Sequence, residues 1–410
     1  MIVWIDTAAL GSARPLFGLD PLERIARTLR CLKRQPDRVL VSGPETPPRL
    51  PVGFEAVAAP GDAAERIRAV LRDAAGAPVL LLDAATVVDP RLVRYLAQDD
   101  ATPAAARAAV GGEGAERAGV LRLTAADAGL LPQHADDLTA AAEAVATAAP
   151  ATVVAPDAVP SFIVNLRRSL PYYLFGVRSP AAARRVERVL FDWNYKGSTD
   201  FMTKWVYPPL VWRLVRLSTA TGLSANAITI LSVILTFAAV PLFATGAFVA
   251  GLACAYAMSV LDSVDGKVAR LTLSDTAFGN VLDHGLDIVH PPLWYAAWAW
   301  GLGAREAGDP LAIAAFLLIA FYVGDRLVLM VAKARFGRGL HAMRSLDAAV
   351  RTWIARRNVN LVVITAGLLL GQGEAALYLI CFWQGATMLW HAIRTAWLVG
   401  TGAQPAETAR

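Results

Sequence analysis

The chain has 410 residues, of which 56% are hydrophobic and 18% charged, against about 45–50% and about 25% in ordinary soluble domains. That balance argues against an all-soluble protein and excludes a disordered chain, a collagen and a coiled coil. A net charge of +5 leaves nucleic acid, an anionic membrane surface or a phosphorylated substrate open until the charges are placed.

Met1–Asp6 has neither a basic segment nor a long apolar run, so no signal peptide is expected. Up to residue 165 short β-rich runs alternate with amphipathic runs. Met1–Ile5, Arg38–Ser42, Phe54–Ala58, Pro78–Leu82 and Gly119–Leu123 read as strands. Pro21–Lys33, Ala63–Ala74, Pro90–Ala97 and Ala135–Ala148 read as helices, several opened by Asp or Pro. Such alternation predicts a soluble α/β domain with a mostly parallel sheet over 1–165. Ala101–Ala118, rich in Ala and Gly, reads as a loop. Cys31, Cys254 and Cys381 lie too far apart for a metal-binding pair, and their number gives no disulfide framework. Five scattered histidines make no His-rich metal site.

Residues 166–224 form a basic linker. Thr203–Leu217, with Lys204, Arg213 and Arg216 beside Trp205, Tyr207 and Trp212, predicts an amphipathic helix in the membrane interface. Residues 225–400 predict an all-α membrane domain of six spans, at about 226–244, 247–271, 277–301, 310–333, 358–371 and 374–398, and 401–410 a tail. Lys and Arg crowd the pre-span segment, the turn at Lys267 and Arg270, and the 333–357 loop, which puts both termini and these loops in the cytoplasm. With the charge facing the inner leaflet and its lipids, nucleic acid drops out as a partner.

Asp262, Asp265, Gly266, Ala269 and Arg270 fall on one face of one predicted membrane helix, and Gly279, Asp283 and Asp287 on one face of the next. An Asp at membrane depth costs about 2.5–3.5 kcal/mol on insertion scales, so four on facing helices call for a cation. Hard divalent ions, Mg²⁺ or Mn²⁺, suit oxygen ligands. The glycines leave room for a bulky ligand and Arg270 can reach a phosphate, which together describe a metal–diphosphate site. Asp325 and Arg326 either line an acceptor cavity or pair with each other. Arg344, Arg351, Arg356 and Arg357 suit lipid headgroups or an acceptor phosphate. His290 beside Pro291–Pro292 marks a break in the third span.

The spacing D-x2-D-G-x2-A-R-x8-G-x3-D-x3-D, complete from Asp262 to Asp287, resembles the signature of the CDP-alcohol phosphotransferases, integral membrane enzymes of phospholipid synthesis. The likeness runs from about Lys196 to Arg357. Leu223–Thr229 looks like the family's Pro-Asn-x-x-Thr lead into the first span, with Ala225 in place of the proline. The resemblance implies transfer of a phosphoryl-linked group from a CDP-linked donor to an alcohol or lipid acceptor, release of CMP, and a homodimer. It implies that Asp262, Asp265 and Asp283 hold two divalent ions, and that Asp287 is the general base and touches a metal. Gly266, Ala269, Arg270 and Gly279 would shape the cytidine diphosphate pocket. His284 would either shuttle the proton or cap the helix. A transporter or ion-binding membrane protein is the alternative of a different class, since it too would use intramembrane acids.

Pro15–Arg24 and Val79–Pro90 look like segments of the sugar-phosphate nucleotidyltransferases, a domain fused in some relatives to the membrane domain. Asp6–Arg14 offers only Gly11 and Arg14 where a glycine-rich phosphate loop belongs, and the second acid beside Asp83 is absent unless Asp89 substitutes. The resemblance therefore implies a degenerate, inactive or regulatory domain. The alternative is an active cytidylyltransferase making the CDP-alcohol from CTP.

Overall fold

A computed structural model describes residues 1–43, 49–98, 106–112, 116–148 and 151–402, without the side chains of Asn280, Asp283 and His284. Two compact units result: Met1–Ser161 with Leu170–Trp193 and Leu271–Leu273, and Phe162–Ser169 with Asn194–Arg270 and Ser274–Arg410.

The first unit is an α/β layer structure. Its strands are β1 (Ile2–Asp6), β2 (Arg38–Ser42), β3 (Phe54–Ala56), β4 (Val79–Asp83), β5 (Thr86–Val88), β6 (Arg107–Gly111), β7 (Ala118–Leu123) and β8 (Thr152–Val153). Its helices are α1 (Pro21–Arg30), α2 (Ala63–Asp73), α3 (Pro90–Ala97), α4 (Leu138–Thr147) and α5 (Pro180–Trp193). The main sheet runs β3-β2-β1-β4-β7-β6-β8, and β5 pairs separately with Leu174–Gly176. Strand alternation splits β1: Val3 and Ile5 meet Leu22, Ile25 and Leu92 from α1 and α3, while Trp4 meets Ile67, Leu71 and Leu138 from α2 and α4. Asp20, Asp62 and Asp89 cap α1, α2 and α3 through their carboxylates, and Glu65 completes a capping box at Asp62.

The main sheet is mostly parallel, as expected, with four of its six strand pairs parallel, but it is mixed, because β7 runs antiparallel to both β4 and β6. Only six residues join β6 to β7, too few for the crossover a parallel pair needs. One expectation is corrected here. The expected 101–118 loop contains β6, whose Ala108 and Ala109 are fully buried. Alanines carry weak strand propensity, so tertiary pairing decides that segment. Residues 101–105 and 113–115 of the loop lie outside the described residues.

The second unit is helical. A π-turn at Met202–Val206 leads into α6 (Pro208–Ala220), where an interfacial helix was expected. Lys204 lies 4.6 Å over the half-exposed ring of Trp205. Then follow α7 (Ala225–Ala244), α8 (Phe248–Leu271), α9 (Ala277–Leu302), α10 (Pro310–Phe336), α11 (Ser345–Val350), α12 (Arg357–Leu369) and α13 (Gly373–Gly400). Helices thus occupy all six expected span positions. Among the described residues, α7, α8, α10 and α13 are long and apolar enough to cross a membrane, and α12 has only 13 residues. Their common core gathers Phe243, Met258, Trp294, Trp298, Leu318 and Leu361.

The expected break at His290–Pro292 is absent, since α9 continues through Pro291 and Pro292. Two prolines remove the N–H groups that would bond the carbonyls of Asp287 and Ile288. The Tyr322 hydroxyl donates to both, at 2.8 and 3.4 Å, and the His290 ring contacts the Leu286 carbonyl at 2.6 Å. The Tyr322 hydroxyl thus repairs the helix at the two carbonyls that the prolines leave unpaired.

Candidate active site

A cavity of about 180 Å³ opens among α8, α9, α10, α12 and α13 of the helical unit. Asp262, Asp265, Gly266, Arg270 and Asp287 line it, so two faces placed by helical spacing do meet. Ala269 and Gly279 are not in its lining. The side chains of Asp283 and His284 lie outside the described residues.

Asp265 is buried, and its Oδ2 accepts a 2.7 Å hydrogen bond from Thr229 Oγ1 on α7. Asn226, three residues earlier, accepts from Thr276 Oγ1 at 3.1 Å, and Thr276 in turn caps α9 by accepting from Gly279 N. A Cβ on Gly279 would stand 2.9 Å from Asn226 Oδ1. Gly279 therefore serves the close approach of α9 to α7 in this structure. The Asn-x-x-Thr segment thus fixes one acid on α8 and the start of the helix that carries the others.

Arg357, at the start of α12, bonds Asp262 with one guanidinium nitrogen and Asp287 with another, the latter at 3.1 Å. Two carboxylates 25 residues apart in sequence share one cation. Arg270 Nε donates to Asn194 Oδ1 at 3.0 Å, and a Cβ on Gly266 would lie 3.1 Å from the Arg270 guanidinium. Lys267 is buried over the Tyr195 ring, with its ammonium 3.3 Å from the ring centre and 3.2 Å from the Asn194 carbonyl.

Asp200 is a member of this site that sequence reasoning missed. It accepts from Asn358 Nδ2 at 3.1 Å and from both the backbone and hydroxyl of Thr203. Burial raises its carboxyl pKa, but Arg356 and these donors outweigh that and hold it below the ordinary value. Thr203 is a local partner of an ordinary capping kind, and nothing in the local sequence announces Asn358, which comes from α12. Arg351 and Arg356 line the cavity with Arg357 rather than facing headgroups, and Arg351 is buried. Burial lowers the Arg351 and Arg356 pKa values, and crowding adds to it: Arg356 lowers that of Arg351, and Arg326 that of Arg356. Arg344, by contrast, is exposed and stacks on Trp397. Asp325 does line the cavity beside Arg326, but its carboxylate bonds His391.

Among the described residues no three carboxylate, His or Cys groups gather around one metal position, but Asp262 and Asp287 on adjoining helices share the Arg357 guanidinium, and carboxylate oxygens are the donor type that a hard divalent cation takes. Carboxylates of the kind that hold a metal or take a proton, together with cations for phosphate oxygens, are the components of phosphoryl transfer.

Residues 223–397 match the family model described as CDP-alcohol phosphatidyltransferase. The bifunctional IPC transferase and DIPP synthase of Rubrobacter xylanophilus is 29% identical over 204 residues, 49% of this chain and 44% of that protein. Cholinephosphotransferase 1 of Gallus gallus is 29% identical over 130 residues, 29% of this chain and 37% of that protein. The chain thus spans less than half the length of these curated relatives. Among solved structures, Mycobacterium tuberculosis phosphatidylinositol phosphate synthase with CDP-DAG bound is 20% identical, covers 50% of this chain and 98% of its own, and has a TM-score of 0.37. The same synthase in complex with manganese and citrate is also 20% identical, covers 50% of this chain and 93% of its own, and has a TM-score of 0.37.

Proposed function

Because residues 223–397 form a CDP-alcohol phosphatidyltransferase domain, in an enzyme of the CDP-alcohol phosphotransferase family, we propose that this chain moves the phosphoryl-linked group of a CDP-linked donor onto an acceptor hydroxyl. The bond from the acceptor oxygen to phosphorus forms, the bond from phosphorus to the CMP oxygen breaks, and the acceptor proton leaves to a carboxylate. What supports this reading above all is that Asp262, Asp265 and Asp287 line one cavity together with Lys267, Arg270 and Arg357.

In this reading Asp287 takes the acceptor proton, and Tyr322 fixes its backbone. Its carboxylate is held by Arg357, and its role as base rests on that placement. Thr229 orients Asp265. Lys267 and Arg270, with Gly266 leaving space beside them, meet the diphosphate and its nucleoside. Arg351 and Arg356 neutralise further phosphate oxygens. Asp262, Asp265, Asp283 and Asp287 would hold two divalent ions, Mg²⁺ or Mn²⁺. When bound, these ions supply stabilisation of the negative charge that gathers on the phosphoryl and leaving-group oxygens. The protein crosses the membrane six times, with the site and both termini on the cytoplasmic side, as the Lys and Arg distribution supports.

A second reading concerns the α/β unit, and the name of the Rubrobacter relative favours it over phospholipid synthesis alone. Here that unit makes the CDP-alcohol from CTP, and the helical unit consumes it. Its acids are engaged, however: Arg66 bonds Asp6 at 2.6 Å and Arg178 bonds Asp83 at 2.6 Å, with all four groups largely buried.

The test is CMP release by the purified full chain with Mn²⁺ or Mg²⁺, offering CDP-diacylglycerol and a panel of CDP-headgroups with mixed acceptors. Release that Asp287→Asn abolishes is expected. Full activity in that variant would remove Asp287 from the role of base. Pyrophosphate release from CTP and an alcohol phosphate would establish the two-activity reading, and none would leave the α/β unit as a scaffold or regulator.

A further inference from the structure

The cavity that Asp287 lines has a further wall that the transfer chemistry leaves unused. Tyr322, Asp325, Arg326 and Leu329 recur along one face of α10 and all line it. Asp325 meets His391 of α13 through Nδ1, and His391 is fully buried. The His341 ring packs edge-on against His391 with centroids 4.9 Å apart. His341 Nδ1 lies 3.1 Å from the Asp347 carbonyl, which can only accept, so this nitrogen carries the proton and Nε2 offers a lone pair.

Both imidazole Nε2 atoms are buried and have no protein partner. The same holds for the Gln384 Nε2 donor, two turns before His391 on α13. Leaving such groups unpaired costs about 1–3 kcal/mol each, and every one of these residues lines the cavity. The His341 Nε2 lone pair thus lines the same cavity as the Gln384 amide N–H and the Arg326 guanidinium, which donate. A hydroxyl is the ligand group that satisfies both, because it donates one hydrogen bond and accepts others.

We propose that Asp325, His341, His391 and Gln384 form the specificity wall of the acceptor compartment, and that they select a small acceptor bearing several hydroxyls over a diacylglycerol. A diglyceride would bury ester and alkyl groups against this wall and leave its polar atoms unpaired, whereas adjacent hydroxyls pair them. These are positioning residues: they hold the acceptor's hydroxyls so that one of them reaches Asp287. The inference rests on the transferase reading for the identity of the ligand as acceptor, while its binding can be measured without turnover.

The first measurement is equilibrium dialysis of the full chain in detergent with radiolabelled myo-inositol, myo-inositol monophosphate and glycerol 3-phosphate, with no donor present. Saturable binding of at least one is expected. It should weaken at least tenfold in His391→Asn and in Gln384→Ala, while CDP binding stays within twofold of wild type. Gln384→Ala keeps the test decisive if His391→Asn misfolds, since it removes a donor without touching the Asp325 pair. In turnover, the same variants should raise the acceptor KM at least tenfold with kcat changed less than threefold. No saturable polyol binding, binding indifferent to both substitutions, or turnover with dioleoylglycerol alone would overturn the proposal. Polyol binding without CMP release from any donor would sustain the wall and count against the transferase reading instead.

Discussion

The Tyr322 hydroxyl donates to the main-chain carbonyl of Asp287 at 2.8 Å, supplying the hydrogen bond that Pro291 cannot give from within α9. A proline inside the helix thereby ties the backbone of one motif aspartate to a neighbouring helix. The side chain of that aspartate is held separately, by Arg357.

Tyr322→Phe should cost about 1–3 kcal/mol, the penalty for an unpaired buried carbonyl, and slow transfer at least tenfold with little change in the donor KM. Pro291→Ala restores the missing N–H, so it should recover most of that loss in the double variant. Thermal unfolding and CMP release across the four combinations measure the coupling. Simple additivity would show that the hydroxyl does not serve this carbonyl.

Arg357→Gln removes the cation shared by Asp262 and Asp287. In metal-free buffer the variant should lose about 1–3 kcal/mol, the worth of hydrogen bonds to charged groups, because both carboxylates keep partial access to water. Millimolar Mn²⁺ or Mg²⁺ should then stabilise the variant more than the wild type, because both carboxylates turn to the ion. Melting curves with and without the metal decide this. Equal metal-induced shifts in the two proteins would mean that these acids do not hold it.

His341 gives the helical unit a sensitivity to acid. Burial, with Arg351 and His391 nearby, holds its pKa well below the ordinary histidine value. The unfolded chain therefore binds a proton near pH 6.5 that the folded chain refuses. Stability should fall as pH drops below that point, by at most about 1.4 kcal/mol per pH unit from this group. Melting temperatures between pH 7.5 and 5 should decline less steeply in His341→Asn than in the wild type.

In the α/β unit, Arg66→Ala strands the Asp6 carboxylate, which is 2% exposed at the end of β1. A loss of about 3–5 kcal/mol is expected, read as faster hydrogen exchange in β1 and its neighbours β2 and β4. Replacing Asp6 and Arg66 together by apolar residues should recover much of it, since the charge and its burial cost go together.

Much of this protein is legible in the chain because periodicity is a local property. The strand Arg38–Ser42 and the helix Pro90–Ala97 are found where their residues predict them, and helices lie at all six expected span positions. The faces bearing Asp262, Asp265 and Asp287 follow from helical spacing alone, and the motif that joins them is written in one continuous segment.

Tertiary structure decided what depends on partners distant in sequence. β6 exists because β7 pairs with it, although its own alanines favour no strand. α9 stays whole through two prolines because Tyr322 lies 31 residues beyond Pro291 in sequence, on a neighbouring helix. Asp200, Arg357, His341 and His391 come from separate segments, and no local pattern announces that they share one cavity. Spacing along a chain fixes which residues share a face, but only packing fixes which faces meet, because burial and hydrogen bonding act through space.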